Sequence, residues 1–124
     1  MNTYQKLWGK AIKIIPGGNG LLSKRPQRFS PNLWPIYFKR AKDIYIWDLN
    51  NKKYTDMSIM GIGTSMLGYA NNKIDNAVKK TISKGINTTL NSVEEYQLAK
   101  KILKIDKFAN KVKFARSGGE AVLI

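Results

Sequence analysis

The chain has 124 residues, enough for one domain and no more, and its 43% hydrophobic content is ordinary for a folded protein. It contains no cysteine and no histidine, which excludes disulfides, Cys/His zinc sites and Ser-His or Cys-His catalytic pairs. Its 22 basic against 8 acidic residues give a net charge of +14, which leaves a small nucleic-acid or anionic-surface binding module as one alternative. Eighteen of the basic residues are lysines spread along the whole chain, whereas forked recognition of phosphate favours arginine, so nucleic acid is the less favoured partner.

The sequence shows no targeting or membrane signal. No apolar run approaches the ~20 residues that are needed to cross a bilayer. Residues 1–8 lack the basic and then apolar pattern of a signal peptide. The absence of cysteine suits a reducing compartment. We therefore expect a soluble, cytoplasmic protein with no membrane partner.

The first predicted element is a helix over residues 3–15, in which Trp8 and other apolar residues recur at close to helical spacing. The pattern breaks at Pro16-Gly17-Gly18, and residues 16–35 hold all four prolines, so they are predicted to form an irregular loop. Trp34 is expected to pack this loop down. The tryptophans are interpreted as packing residues rather than as ligand platforms.

Three strands are predicted next. Residues 35–41 form the first, and residues 43–48 alternate aromatic and β-branched residues as a half-buried strand should. A turn at residues 49–52 returns the chain as a hairpin partner over residues 53–57. The pattern predicts an antiparallel meander.

Two helices follow the meander. The first is predicted to start at an Asn72 cap and to stop at Gly85. The second is predicted to start with a capping box at residues 92–95. Their apolar faces are Ile74, Ala77, Val78 and Ile82 in the first helix and Leu98, Ala99, Ile102 and Leu103 in the second.

The end of the chain carries the pattern of a phosphate-binding loop. Residues 111–116 alternate like a strand, Ser117-Gly118-Gly119 form a turn, and an apolar helix begins at Glu120. The hydroxyl and the N–H groups at such a helix start can bind an anion, although two glycines can also serve only as a turn. The P-loop and Rossmann patterns are both absent. Since only residues 120–124 remain for the helix, we expect the chain to be the front part of a longer α/β protein whose main sheet has barely begun.

A second candidate site is the apolar, glycine-rich stretch over residues 60–69. Its three glycines suggest a close backbone approach to a ligand or a partner chain. A buried irregular connection would have the same composition. The eight carboxylates of the chain include no pair whose spacing singles out an acid and a base.

Five motifs that occur in order together resemble the N-terminal part of class III aminotransferases, closest to the glutamate-1-semialdehyde aminomutase branch. They are Ile15-Pro16-Gly17-Gly18, Arg40–Asp48, Tyr54-Thr55-Asp56, Leu67-Gly68-Tyr69 and Phe114–Ala121. Any one motif is weak, but their order and spacing along nearly the whole chain make the resemblance specific.

The resemblance implies a fold-type I transferase that uses pyridoxal 5'-phosphate and works as a homodimer on a small amino or carbonyl substrate. It implies that Ser117, Gly118 and Gly119 hold the cofactor phosphate and that Gly61, Ile62 and Gly63 contact the substrate. Residues 1–70 would be an N-terminal segment with a helix, a loop and the meander, and residues 71–124 the beginning of the large cofactor-binding domain.

In this family the Schiff-base lysine and the aspartate that pairs with the pyridine nitrogen lie downstream of the serine-glycine motif. The resemblance therefore implies no catalytic residue and no metal ligand among these 124 residues, and the chain alone is expected to be inactive. Three departures separate the chain from the family pattern. Gly119 stands where threonine is usual, Tyr69 stands where histidine is usual, and the stretch between residues 56 and 68 is about one residue longer than in the aminomutases. The last difference points to a relative with a different substrate.

Overall fold

The computed structural model describes residues 3–58 and 60–124. The chain forms two compact units, Met1–Lys80 and Thr81–Ile124. The predicted domain boundary between residues 70 and 71 concerns a larger fold and stays a prediction. The helices and strands are α1 (Thr3–Ile14), β1 (Phe38–Lys42), β2 (Tyr45–Asp48), β3 (Lys53–Thr55), α2 (Asn72–Ile82), α3 (Val93–Ile105) and α4 (Gly118–Leu123).

Helix α1 confirms the predicted helix, although it ends at Ile14, one residue before the predicted end and two before Pro16. Its buried face consists of Tyr4 and Trp8, which are 6% and 8% exposed, while Ile14 at its end stays 81% exposed. The Trp8 ring lies against the backbone of Gly18, where a Cβ atom would come within 2.4 Å of the ring. A glycine is therefore required at this position, which gives a packing reason for the first of the five motifs.

The loop after α1 is irregular, as predicted. It contains two short 3₁₀ turns, Leu22–Lys24 and Pro26–Arg28. Trp34 stacks on Phe29 with 4.0 Å between the ring centroids, so Trp34 does pack the loop against itself.

The three strands form an antiparallel sheet in the order β1-β2-β3, which confirms the predicted meander. The predicted bounds of β1 were wrong. It spans Phe38–Lys42 rather than residues 35–41, because Pro35 has no N–H to donate and pairing starts only where β2 lies opposite. The third strand ends at Thr55, two residues before its predicted end.

The two faces of the sheet differ in chemistry because side chains alternate along each strand. On one face the Arg40 guanidinium lies 3.5 Å from the centroid of the Trp47 ring, and Lys53 Nζ lies 3.5 Å from that of Tyr45. These cation–π contacts keep the charges in water above half-buried rings. Asp48 is on the opposite face and is 1% exposed.

Asp48 connects α1 to the sheet. Its Oδ2 accepts hydrogen bonds from the Tyr4 hydroxyl at 2.6 Å and from the Tyr54 hydroxyl at 3.0 Å. Its Oδ1 accepts from the backbone N–H groups of Asn50 at 2.8 Å and Lys52 at 2.9 Å. Burial raises the pKa of Asp48, but these four hydrogen bonds outweigh it and hold the pKa below its ordinary value. A buried carboxylate is thus fully satisfied and fixes the helix on the sheet.

The predicted cap of α2 was off by one residue. Asn71, not Asn72, accepts hydrogen bonds through its Oδ1 from the N–H groups of Lys73 and Ile74. Of two adjacent asparagines, the cap is the one whose own carbonyl accepts the first helical hydrogen bond, here from Asp75 N at 2.9 Å. The predicted stop is correct, because Gly85 follows the helix with a φ of 90°.

In the second unit Ser92 caps α3 as predicted, but its partner is Glu94 rather than Glu95. The prediction of a strand over residues 111–116 was wrong. Residues 111–115 belong to no strand, because a strand exists only through hydrogen bonds to a neighbour and the rest of the described chain offers this segment none. Helix α4 then starts at Gly118.

Candidate functional site

The loop before α4 is organised by a capping box that the sequence reading missed. Ser117 Oγ accepts a hydrogen bond from Glu120 N at 3.3 Å. The Glu120 carboxylate reaches back and accepts from Arg116 N at 2.7 Å and from Ser117 N at 3.1 Å. The signal was present in the sequence as a serine followed three residues later by a glutamate. The box fixes the serine at the first turn of the helix.

This arrangement leaves a defined set of donors for an anion. The N–H groups of Gly118 and Gly119 belong to the first turn of a helix and have no intrahelical acceptor. Ser117 Oγ uses a lone pair towards Glu120, so its proton remains available for donation. Because Glu120 occupies the N–H groups of Arg116 and Ser117, the candidate cradle consists of one hydroxyl and two backbone N–H groups.

Neither glycine of this loop is needed for its backbone conformation, since both lie in the right-handed helix. A Cβ atom at Gly118 would meet nothing within 4 Å, and one at Gly119 would only reach Ser117 Oγ at 4.0 Å. The space around the Cβ position of each glycine is therefore open. Open space beside these donors is compatible with a bound phosphate.

The second candidate site lies in the glycine-rich loop, which we define as residues 60–68. Met60, Gly61, Ile62 and Gly63 have positive φ angles of 39°, 65°, 61° and 76°. Two hydrogen bonds shape the loop, from Thr64 Oγ1 to Gly61 O at 2.7 Å and from Ser65 N to Met60 O at 3.1 Å. A left-handed conformation is unfavourable for a β-branched residue such as Ile62 and is worth attention as a candidate functional feature.

The residues that flank the glycine-rich loop, Asp56 before it and Tyr69 after it, are both bonded to the turn between β1 and β2. Asp43 and Tyr69 form an antiparallel bridge, with N···O distances of 2.9 and 2.8 Å. Asp56 N donates to Ile44 O at 2.8 Å. Gly68 is required at this crossing, because it has a φ of 85° and a Cβ atom there would lie 3.1 Å from Asp43 Cα.

A side-chain hydrogen bond also joins these two flanking residues. The Tyr69 hydroxyl donates to Asp56 Oδ2 at 2.5 Å. Burial and then the hydrogen bond and charge of Asp56 raise the pKa of Tyr69 to about 12, so its proton is held firmly. Beside it lies a cleft of about 270 Å³, lined by residues 64–71 with Ile74 and Asp75. The sequence marked Tyr69 as a departure from the family pattern, but no local spacing pointed to Asp56 as its partner.

The two candidate sites belong to different units, with residues 61–63 in Met1–Lys80 and residues 117–119 in Thr81–Ile124. Among residues 3–58 and 60–124, no group of three or more His, Cys, Asp or Glu side chains could hold a metal ion. Within the same residues no helix is long and apolar enough to cross a membrane.

Comparison with known proteins decides the family. A profile described as aminotransferase class-III matches residues 27–123. The chain belongs to the class-III aminotransferase family. The resemblance noted in the sequence is thereby confirmed, and the nucleic-acid alternative finds no support in these matches.

Curated relatives include glutamate-1-semialdehyde 2,1-aminomutases. The chain is 34% identical over 118 residues to that of Nitrosopumilus maritimus, covering 95% of this chain and 26% of the relative. It is 33% identical over 120 residues to that of Campylobacter hominis, with the same coverage. The chain thus spans about a quarter of the length of these relatives.

Solved structures confirm the predicted α/β fold class. FumI from Sphingopyxis sp. MTA144, in a form with pyridoxal phosphate, has a TM-score of 0.83 at 27% identity. The match covers 96% of this chain and 28% of the FumI chain. An omega-transaminase from Sphaerobacter thermophilus has a TM-score of 0.83 at 24% identity, and the match covers 98% of this chain and 26% of the transaminase chain. The latter likeness concerns the fold alone.

Proposed function

We propose that this chain belongs to a pyridoxal-phosphate-dependent aminotransferase or aminomutase, which transfers an amino group to or within a carbonyl substrate. Its own part in that reaction is to hold the phosphate of the cofactor. Support comes from membership of the class-III aminotransferase family and from the geometry before α4. The observation that carries the proposal is the helix start at Ser117, Gly118 and Gly119, which keeps one hydroxyl and two N–H donors open to an anion.

The residues present fit the phosphate of pyridoxal 5'-phosphate. Ser117 would donate its hydroxyl proton, and Gly118 and Gly119 would donate backbone N–H groups, with the partial positive charge of the helix start adding to the attraction. When bound, the cofactor supplies an electron sink for the carbon that carries the amino group. The capping box with Glu120 keeps the serine in place for this role.

We further propose that Gly61, Ile62 and Gly63 contact the substrate, because they form the left-handed turn that leads into residues 64–71, which line an open cleft. The enzyme is proposed to be a cytoplasmic homodimer. The chain alone is proposed to be inactive, since the resemblance places the catalytic lysine outside these residues. Borohydride trapping of pyridoxal phosphate on a single lysine of the isolated chain, at one equivalent per chain, would contradict that part.

The test of the phosphate site is cofactor titration of the enzyme that carries this chain. Ser117→Ala removes one hydrogen bond to a charged group, worth about 1.5–3 kcal/mol, so we expect affinity for pyridoxal phosphate to fall roughly ten- to a hundredfold. Ser92→Ala is the matched control, because it removes a serine cap from another helix and should leave cofactor affinity unchanged.

Two further variants sharpen the test. Gly119→Thr adds a hydroxyl and restores the residue usual in the family, so it should be tolerated. Gly118→Val should weaken cofactor binding, because a branched side chain would occupy space beside the donors that is now open. Unchanged cofactor affinity in both Ser117→Ala and Gly118→Val would show that the loop is only a turn, and the phosphate assignment would be abandoned.

A further inference from the structure

We infer that Tyr69 and Asp56 form a clamp that holds the glycine-rich loop in its binding conformation, which makes Tyr69 a positioning residue for the substrate. The role in substrate binding rests on the proposed function, whereas the clamp itself rests on geometry alone. The Tyr69 hydroxyl and Asp56 Oδ2, 2.5 Å apart, are the atoms that close it.

The clamp completes a frame that the backbone begins. Asp56, before the loop, and Tyr69, after it, both bond to the turn at Asp43 and Ile44 through three backbone hydrogen bonds of 2.8 to 2.9 Å. Those bonds attach each end of the loop to the sheet separately. Within the described residues, the hydrogen bond between the two side chains joins the residue before the loop directly to the residue after it, which sets the span that the loop must bridge.

The Asp56 carboxylate is itself oriented for this task. Its Oδ1 accepts from Ser58 N at 3.0 Å, which leaves Oδ2 directed to Tyr69. On the other side of the clamp, Lys42 Nζ donates to Ala70 O at 2.7 Å and holds the residue after Tyr69. Both members of the clamp are therefore held by neighbours outside the glycine-rich loop.

The loop needs such a frame because of its backbone. Met60 and Ile62 adopt left-handed conformations that are unfavourable for residues with a side chain. Conformations of this kind persist only where the surrounding structure over-determines them. Loss of the clamp would let the loop relax, and the groups of residues 61–63 would no longer be held in place for a substrate.

The test compares variants of the enzyme that carries this chain. Tyr69→Phe keeps the ring and the backbone bridge and removes only the hydroxyl. Tyr69→His introduces the residue usual in the family, which brings an N–H donor of its own towards Asp56. Tyr54→Phe is the matched control, because it removes another half-buried tyrosine–aspartate hydrogen bond, the one to Asp48, away from the glycine-rich loop.

Two readouts separate positioning from general stability. In Tyr69→Phe we expect hydrogen exchange of the loop amides at residues 60–68 to rise about tenfold, and KM for the amino substrate to rise by a similar factor with kcat nearly unchanged, as loss of one charge-assisted hydrogen bond predicts. Pyridoxal-phosphate affinity should not change. In Tyr69→His the loop exchange rate and KM should lie close to those of the unmodified enzyme. In Tyr54→Phe neither the exchange rate nor KM should change.

Other results would contradict either the clamp, its role in positioning the substrate, or the proposed function. Unchanged loop exchange in Tyr69→Phe would overturn the clamp, whatever the activity. Faster exchange with an unchanged KM would overturn the positioning role. If the unmodified enzyme neither binds pyridoxal phosphate nor transfers an amino group, the proposed function fails, and the exchange measurement still decides the clamp. If Tyr69→Phe does not fold, Asp56→Asn, which keeps the acceptor and removes its charge, should show a smaller change of the same sign.

Discussion

The most informative prediction concerns the second unit, which has no buried residue. Twelve large hydrophobic side chains in it are exposed, by about two-thirds on average. They are Ile82, Ile86, Leu90, Val93, Tyr96, Leu98, Ile105, Phe108, Phe114, Val122, Leu123 and Ile124. Ile82 and Leu98 belong to the apolar faces predicted from the sequence, whereas Ala99, Ile102 and Leu103 on the α3 face are half-buried. The predicted faces are therefore only partly covered.

The free energy left unrealised by this exposure is large. Full burial of one such side chain stabilises a protein by about 1.5–3 kcal/mol, so twelve that are two-thirds exposed leave roughly 12–24 kcal/mol ungained. A typical domain is stable by only about 5–15 kcal/mol. We therefore expect Thr81–Ile124 of the isolated 124-residue chain to lack a cooperative unfolding transition.

Two substitutions in the isolated chain compare the stability of the two units. Leu98→Ala, on the predicted core face of α3, should change the unfolding free energy by less than about 0.5 kcal/mol, whereas a buried leucine would lose about 2–5 kcal/mol. Trp8→Ala should remove about 3–5 kcal/mol from the first unit, because Trp8 is 8% exposed. Hydrogen exchange read by mass spectrometry reports both units separately, and protection should be confined to Met1–Lys80.

Strong, cooperative protection of the amides in α3, or a loss above about 2 kcal/mol in Leu98→Ala, would refute the reasoning, since either result requires a covered apolar face.

The remaining predictions concern the first unit. The pKa of Asp48 in the folded protein lies below its ordinary value of 3.8. The stability that ionised Asp48 contributes is therefore present above pH 3.8 and is lost as the pH falls through the folded pKa. Asp48→Asn should make the unfolding free energy depend less on pH in the acid range. The pKa values of Tyr54 and Tyr69 rise from 10.0 to about 12 in the folded protein. The stability that the two protonated hydroxyls contribute should therefore be complete below pH 10 and decrease towards pH 12, and tyrosinate absorbance should appear at a higher pH than for free tyrosine. Gly68→Ala should destabilise by about 1–2 kcal/mol or more in chemical denaturation, because of its positive φ and its contact with backbone, while Gly20→Ala, with nothing within 4 Å, should be nearly neutral.

Much of the local structure could be predicted from the sequence, because it depends on residues a few positions apart. Helix α1, the antiparallel order of the strands, the cap at Ser92 and the stop at Gly85 all follow from spacing or from single residues with special conformations. The capping box of Ser117 and Glu120 was equally readable but was missed. The five motifs also sufficed for the family, because each is a short run whose order the chain preserves.

Only the tertiary structure decided which distant residues meet. Tyr4 and Asp48 are 44 positions apart, and Tyr69 and Asp56 are 13 apart, so no helical or strand period links either pair. The left-handed turn through Ile62 contradicts the preference of its own residue type, and such conformations persist only where the surrounding structure over-determines them. Residues 111–115 have the alternation of a strand but no partner segment among the described residues. Alternation determines only which face of a strand is apolar, whereas a strand forms through hydrogen bonds to another segment.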